Sequence, residues 1–251
     1  MIRNIAALIK NDLAIAFKNK SVYLILFIPL FAILSLKLVD EPKDPVHRSR
    51  ISDVAALHKD GLQKQSLPTW VLMSVLLVGL VIMPAQVAEE KEKKLLLGLL
   101  QTPMREGEWV LAKAFSGMLL TFAAVFLLHA LGGFDLGGAS SYLLFLAAGS
   151  FCFSSFGILL GCLCASQASA RNLGVLFYLP LMLPAALSGF SQKFSAVAPL
   201  FPSYQFFAPV RAILLKGSGI SGFPLELPYL FLLGAFACMI SVRLIKIRWL
   251  M

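Results

Sequence analysis

Six apolar runs, separated by charged or turn-forming stretches, set the pattern of this chain. They lie near Ser21–Leu38, Pro68–Ala88, Ala112–Leu131, Ser141–Cys164, Asn172–Phe190 and Leu225–Ile245. Runs of about 16 to 24 residues are long enough for a helix to cross a hydrocarbon core of about 30 Å. On the insertion scale each Leu, Ile, Phe or Val favours the membrane by about 0.3–0.6 kcal/mol, and a central charge opposes it by about 3 kcal/mol. The runs satisfy that balance. Lys37, Glu226 and Arg243 fall at span ends, where they reach the interface, and His129 is the ionisable residue in a span interior. The pattern predicts an all-α membrane protein with six transmembrane helices, a single membrane domain over residues 1–251.

Ahead of the first run, residues 2–18 place Ile2, Ile5, Ala6, Ile9, Leu13, Ala16 and Phe17 on one helical face, with Arg3, Lys10, Asn11 and Lys18 opposite. That periodicity predicts an amphipathic helix lying in the membrane interface. A basic region followed by an apolar run could also be a signal peptide. The run ends Leu36-Lys37-Leu38-Val39-Asp40, without a small-x-small cleavage site, and is read as a retained first helix.

Six charged residues in a row, Glu89 to Lys94, close the second run. Such a block cannot sit in hydrocarbon and marks a membrane exit. Leu95–Leu97, Gly98, Leu99 and Leu100 follow, then Gln101-Thr102-Pro103, a short apolar helical face ended by proline. A solvated loop is the bland reading, and a docking helix at the membrane surface is the sharper one. Later, Gly157 and Gly161 form a GxxxG pattern that permits close helix approach, either within the chain or at a dimer seam. Pro180 and Pro184 permit kinks in the fifth run. The segment Ser191–Pro224 is strongly apolar for a connection. Pro199, Pro202 and Pro209 argue against one uninterrupted helix there, so short re-entrant helices are expected.

Composition agrees with the spans. The chain has 251 residues, 59% hydrophobic and 14% charged, against about 25% charged in soluble domains. The mean hydropathy is +0.83. The net charge of +9 is distributed as topology anchors, not as a nucleic-acid footprint. Thirteen Lys and Arg fall on the side of the termini and nine on the other. The positive-inside rule therefore puts both termini in the cytoplasm. The cysteines Cys152, Cys162, Cys164 and Cys238 all lie in spans, which disfavours a disulfide framework and suits small packing residues.

Several chemistries are missing from the sequence. No glycine is followed by lysine, so there is no phosphate-binding GxxxxGK[ST] loop. No H-E-x-x-H, G-x-S-x-G or paired Cys-x-x-Cys occurs. No Asp or Glu lies in the middle of a run to carry a proton or sodium relay. If the protein drives uphill transport, the energy enters from another chain.

Taken in order, these motifs resemble the permease subunits of type 2 ATP-binding-cassette exporters. Glu89-Glu90-Lys91-Glu92-Lys93 with Leu99-Leu100-Gln101-Thr102-Pro103 is similar to the family's E-K-E-K-G-T-x-E-x-L-L-x-T-P signature, with Lys94-Leu95 at the Gly-Thr step. Leu187-Ser188-Gly189-Phe190, followed by Pro199, Pro202, Tyr204 and Arg211, is similar to its L-S-G…P…P-x-x-Y…R run. The resemblance implies an interfacial helix, a cytoplasmic coupling helix after span two, and re-entrant helices between spans five and six. It implies a second permease copy, in a homo- or heterodimer, and a separate ABC ATPase carrying ATP and Mg, with no cofactor on this chain. It implies the cytoplasmic membrane as location. Glu89, Glu90, Glu92, Leu99, Leu100, Gln101, Thr102 and Pro103 would then contact the ATPase. Leu187, Ser188, Gly189, Phe190, Pro202 and Tyr204 would form an outer gate. Met73, Leu76, Phe177, Tyr178 and Leu181 would wall the cavity, whose apolar character favours an amphiphilic substrate. On this reading Glu89→Lys with Glu90→Lys uncouples transport without blocking insertion. A non-transporting membrane component driven by an ABC ATPase, and an ATP-independent facilitator, are the competing readings.

Overall fold

The structure, a computed structural model, describes residues 8–10, 12, 31, 66–93, 105–132, 139–187 and 197–248. The first expected span, Ser21–Leu38, and the coupling residues Leu99–Pro103 lie outside the described residues. Among the described residues the regular structure is helical. We number α1 Ser66–Glu92, α2 Glu106–Gly132, α3 Ala139–Leu163, α4 Gln167–Leu187, α5 Pro202–Lys216 and α6 Glu226–Arg248. Four of these are long and apolar enough to cross a membrane: α1, α2, α3 and α6. They coincide with the second, third, fourth and sixth expected runs. The fifth run forms α4, which keeps Pro180 and Pro184 inside the helix.

Leaving α5 aside, successive helices α1, α2, α3, α4 and α6 run alternately up and down. The ends of α1, α3 and α6 therefore meet the starts of α2 and α4 at one charged end of the bundle. α3 is the hub and packs against all five other helices. One core, formed by Leu72, Leu76, Leu128, Tyr142, Phe145, Phe153 and Phe206 among others, fills the interior away from the charged end. A second, formed by Leu8, Met83, Val87, Trp109, Ile158, Cys162, Cys238 and Ile245, lies toward the charged end. α1 is the most enclosed span, with 89% of its apolar window buried inside the protein, and α6 the least, at 33%.

In lipid, apolar surface does not by itself drive helices together, so close packing must. The glycines supply it. A Cβ on Gly157 of α3 would sit 1.8 Å from the carbonyl oxygen of Gly79 on α1, and one on Gly161 would sit 2.8 Å from Pro84 O. The GxxxG pattern therefore forms an internal seam between α1 and α3. On the α4 side, a Cβ on Gly174 would lie 2.0 Å from Leu80 O. Gly79 and Leu80 belong to a π-helical stretch, Val78–Ile82, in which the Met83 N–H bonds to Val78 O. Pro84 lies just after it and has no N–H to give to Leu80 O. The wider turn takes up that mismatch, and the freed backbone oxygens face glycines because no larger residue fits.

Between α4 and α6 the structure refines the expected short helices. Ala198–Leu200 is a 3-10 turn containing Pro199, and Pro202 opens α5 at its first turn, where a missing N–H costs nothing. Pro209, expected to break a helix, lies inside α5 without ending it. It removes one interior hydrogen bond. The helix is held by burial of Phe206, Val210 and Ile213 against the core. α5 ends in an αL motif at Gly217 (φ 65°), with Gly217 N donating to Ile213 O.

Candidate functional site: a charged clamp at one end of the bundle

The Glu89–Lys93 block is the last turn of α1 and the residue after it. Its alternating signs fit what surrounds it. A helix C-terminus presents bare carbonyls and favours a cation, and a helix N-terminus presents bare N–H groups and favours an anion. Lys91 Nζ donates to Cys162 O (3.3 Å) and Cys164 O (2.9 Å), satisfying the end of α3. Glu92 Oε2 accepts from the backbone N–H of Gln167 (3.2 Å), the first residue of α4. Glu89 Oε2 accepts from Gln167 Nε2 (3.0 Å), and its Oε1 pairs with Lys93 Nζ at 2.5 Å. That pairing raises the pKa of Lys93, which lies just beyond the helix. The end of α1 thus clips the α3–α4 corner from both sides.

Glu90 points the other way, into the bundle. Its carboxylate accepts from Lys113 Nζ of α2, whose side chain is 2% exposed. The same ammonium donates to Asp12 Oδ1 at 2.6 Å. Ser116 Oγ, one turn along α2, lies 3.1 Å from Asp12 Oδ2 and 2.9 Å from Ala112 O, and its single proton serves one of them. The Lys113 ammonium also stands 5.8 Å from the Trp109 ring centroid. A buried lysine requires such company. Unpaired, it would cost several kcal/mol, and here two carboxylates from two distant segments surround it.

Sequence reasoning missed Asp12, Lys113, Ser116 and Gln167. The expected third span began at Ala112. α2 in fact starts at Glu106, so Lys113 lies two turns inside it. Lys113 is therefore a second ionisable residue inside a span, besides His129. One signal was available for Asp12: it sits four residues after Leu8, and both are buried while Lys10 is exposed. The buried face of this part of the N-terminal segment therefore carries an acid, beside the expected apolar stripe through Ile9.

The other expected site residues are dispersed. Leu76 is fully buried in the main core, and Met73, Tyr178 and Leu181 pack against it. Phe177 is 46% exposed on α4. The structure thus sets Leu76, Met73, Tyr178 and Leu181 in or beside the main core, with Phe177 on the exposed surface of α4. Leu187 is the last residue of α4, and Ser188, Gly189 and Phe190 lie outside the described residues. Pro202 and Tyr204 stand in the first turn of α5. His129 bonds through Nδ1 to Val125 O (2.9 Å), with its ring 5.4 Å from that of Tyr142. All four cysteines are buried and free, and Cys238 Sγ bonds Ser155 Oγ at 3.2 Å.

Residues 43–243 match the family described as ABC-2 family transporter protein. The chain belongs to the ABC-2 transporter family. No curated protein matches it. Family membership makes it a permease subunit, the membrane component of a transporter that partners with an ABC ATPase. The apolar helices agree with a membrane location. The end of α1 is bonded at once to α2 and to the α3–α4 corner, and Lys113 of α2 links it on to Asp12.

Proposed function

We propose that this ABC-2 permease exports an amphiphilic substrate across the cytoplasmic membrane, driven by ATP and Mg bound on a separate ATPase subunit. The observation that carries the reading is the clamp of Glu89–Lys93 on α2, the α3–α4 corner and Asp12. A push delivered to the chain just beyond α1 reaches α2, α3 and α4 together, because each is tied to that helix end by charge-assisted bonds, and reaches Asp12 through Lys113. Both termini and the clamp face the cytoplasm, where the ATPase is.

The residues divide the work. Leu99, Leu100, Gln101, Thr102 and Pro103 form the coupling helix that enters a groove on the ATPase, an apolar helix-in-groove contact. Glu89 and Glu92 stand at its rim and also meet polar groups of the ATPase. Glu90 acts through Lys113, as a positioning residue for the same contact. Leu187–Phe190, Pro202 and Tyr204 close the outer end. A second permease copy, identical or related, packs on the exposed apolar stripe of α4, where Leu176 is 65%, Leu179 58% and Leu183 53% exposed. The substrate passes between the two copies, past Phe177 on α4, with Met73, Leu76, Tyr178 and Leu181 backing the path. The π-helical turn next to Pro84 is the point at which α1 yields.

The test is to purify the tagged permease in mild detergent, with and without crosslinking, and identify what stays bound. A near-stoichiometric soluble protein containing a phosphate-binding loop supports ATP coupling. Its absence under both conditions refutes it and leaves an ATP-independent facilitator.

A further inference from the structure

A groove of about 440 Å³ opens on the outside of the bundle between α2, α3 and α6, toward the charged end. Phe151 and the buried Cys238 line it from α3 and α6, Leu111 and Met239 flank it with 40% and 60% exposure, and Arg243 lines it near the end of α6. Gly107 also lines it, and nothing lies within 4 Å of where its Cβ would be, so the first turn of α2 leaves the mouth open. The volume falls within the range of small-molecule sites, about 300–1,000 Å³. The groove is separate from the clamp and from the α4 stripe, and it lies on α6, the span least covered by protein.

Chemistry limits what can fill it. A packed transmembrane helix would need small residues on the facing surface. Here the exposed face of α6 carries Leu232, Phe236 and Met239, which are bulky and irregular and suit a flexible hydrocarbon chain. The open end carries Arg243, exposed, with the exposed Lys246 one turn further along α6. Glu106 and Glu108 flank Gly107 on the α2 side. The rim therefore carries both signs, with the cations on α6, and basic pockets between spans near the membrane surface are suited to lipid headgroups. We infer that this groove holds one membrane glycerophospholipid, an acyl chain against Leu111, Phe151 and Met239 and the phosphodiester on Arg243. The lipid fills the gap between α2 and α6 and braces the two helices beside the clamp. The inference is independent of what the permease transports.

The experiment uses the full chain in detergent, titrated with dioleoyl phosphatidylglycerol or with dioleoylglycerol, which has the same tails and no phosphate. Native mass spectrometry counts the lipid retained per chain. The wild type is expected to retain one phosphatidylglycerol in preference to dioleoylglycerol. Arg243→Gln lowers the phosphatidylglycerol affinity about fivefold, the contribution of one basic side chain near a membrane surface, and leaves dioleoylglycerol unchanged. Met239→Trp, which fills the groove, lowers both. Leu232→Trp, elsewhere on the exposed face of α6, lowers neither. Equal retention of the two lipids by the wild type, or unchanged phosphatidylglycerol retention in Arg243→Gln, overturns the site and leaves only non-specific annular lipid. The Arg243→Gln arm replaces an exposed side chain, so it stays decisive even if Met239→Trp does not insert.

Discussion

Lys113→Met should be among the most damaging single changes at the charged end of the bundle. The substitution keeps a flexible unbranched side chain and removes the ammonium that Asp12 and Glu90 share. Both carboxylates touch the same ammonium, and the side chains of Lys113, Asp12 and Glu90 are 2%, 5% and 13% exposed. Removing it leaves two anions facing each other away from water. Breaking a buried ion pair from one side costs about 3–5 kcal/mol, and the second carboxylate places this case at the upper end. With about 2–4 °C lost per kcal/mol for a chain of this size, the midpoint should fall by about 10 °C or more. The assay is thermal unfolding of a fluorescent fusion in detergent, read as the monodisperse fraction after heating. The triple variant Asp12→Asn, Glu90→Gln, Lys113→Met removes every charge at once and should recover most of the loss, since neutral replacement of a whole buried charge cluster is often tolerated. If the triple variant loses at least as much as Lys113→Met, the three groups are not coupled and the clamp argument fails. Glu90→Gln alone should be milder, because Lys113 keeps Asp12.

Further outcomes follow from the same geometry. Gly157→Val would press a side chain into Gly79 O, 1.8 Å from the first added carbon, and should destabilise the fold by about 1–3 kcal/mol or more. Gly222→Ala, where nothing lies within 4 Å, should behave as wild type in the same melt. Lys91→Met strips the α3 terminus of two charge-assisted bonds and should cost about 1.5–3 kcal/mol, whereas Lys93→Gln, at an exposed pair, should be indistinguishable from wild type. Leu99→Asp with Leu100→Asp should abolish ATPase co-purification while the permease still inserts, and retained ATPase would argue against docking through this segment. Glu89→Lys with Glu90→Lys should both uncouple transport and lower the melting midpoint, because the Glu90 half of the pair also strikes Lys113.

Part of the candidate site was legible because it is local. The charge block at Glu89–Lys94 announces the end of a span on its own, since no run of six charged residues can stay in hydrocarbon. Which partner each charge takes was not legible. Glu90 and Glu92 are two residues apart on one helix, yet one reaches into the bundle and the other caps a helix outside it. The block reads as docking surface from sequence. In the folded chain each of Glu89, Glu90, Lys91 and Glu92 has an internal partner. Lys113 escaped notice because its helix begins six residues before the apolar run does, and a cation flanked by Ala112 and Ala114 looks like a membrane boundary until a partner is found 101 positions away.

The sequence by itself determined the apolar runs that become α1, α2, α3 and α6, their order, and the absence of a GxxxxGK[ST] phosphate-binding loop. Each follows from sums over neighbouring residues: insertion free energy is additive along a run, and a motif is a spacing. The tertiary structure alone decided that Gly157 and Gly161 close on α1 and not on a second chain, that α1 widens to a π-helix at Val78–Ile82, and that Asp12 and Glu90 share Lys113. These depend on which helix faces which, and on the free energy of burying polar groups together. Such pairings join residues far apart in the chain, so no window of local sequence contains them.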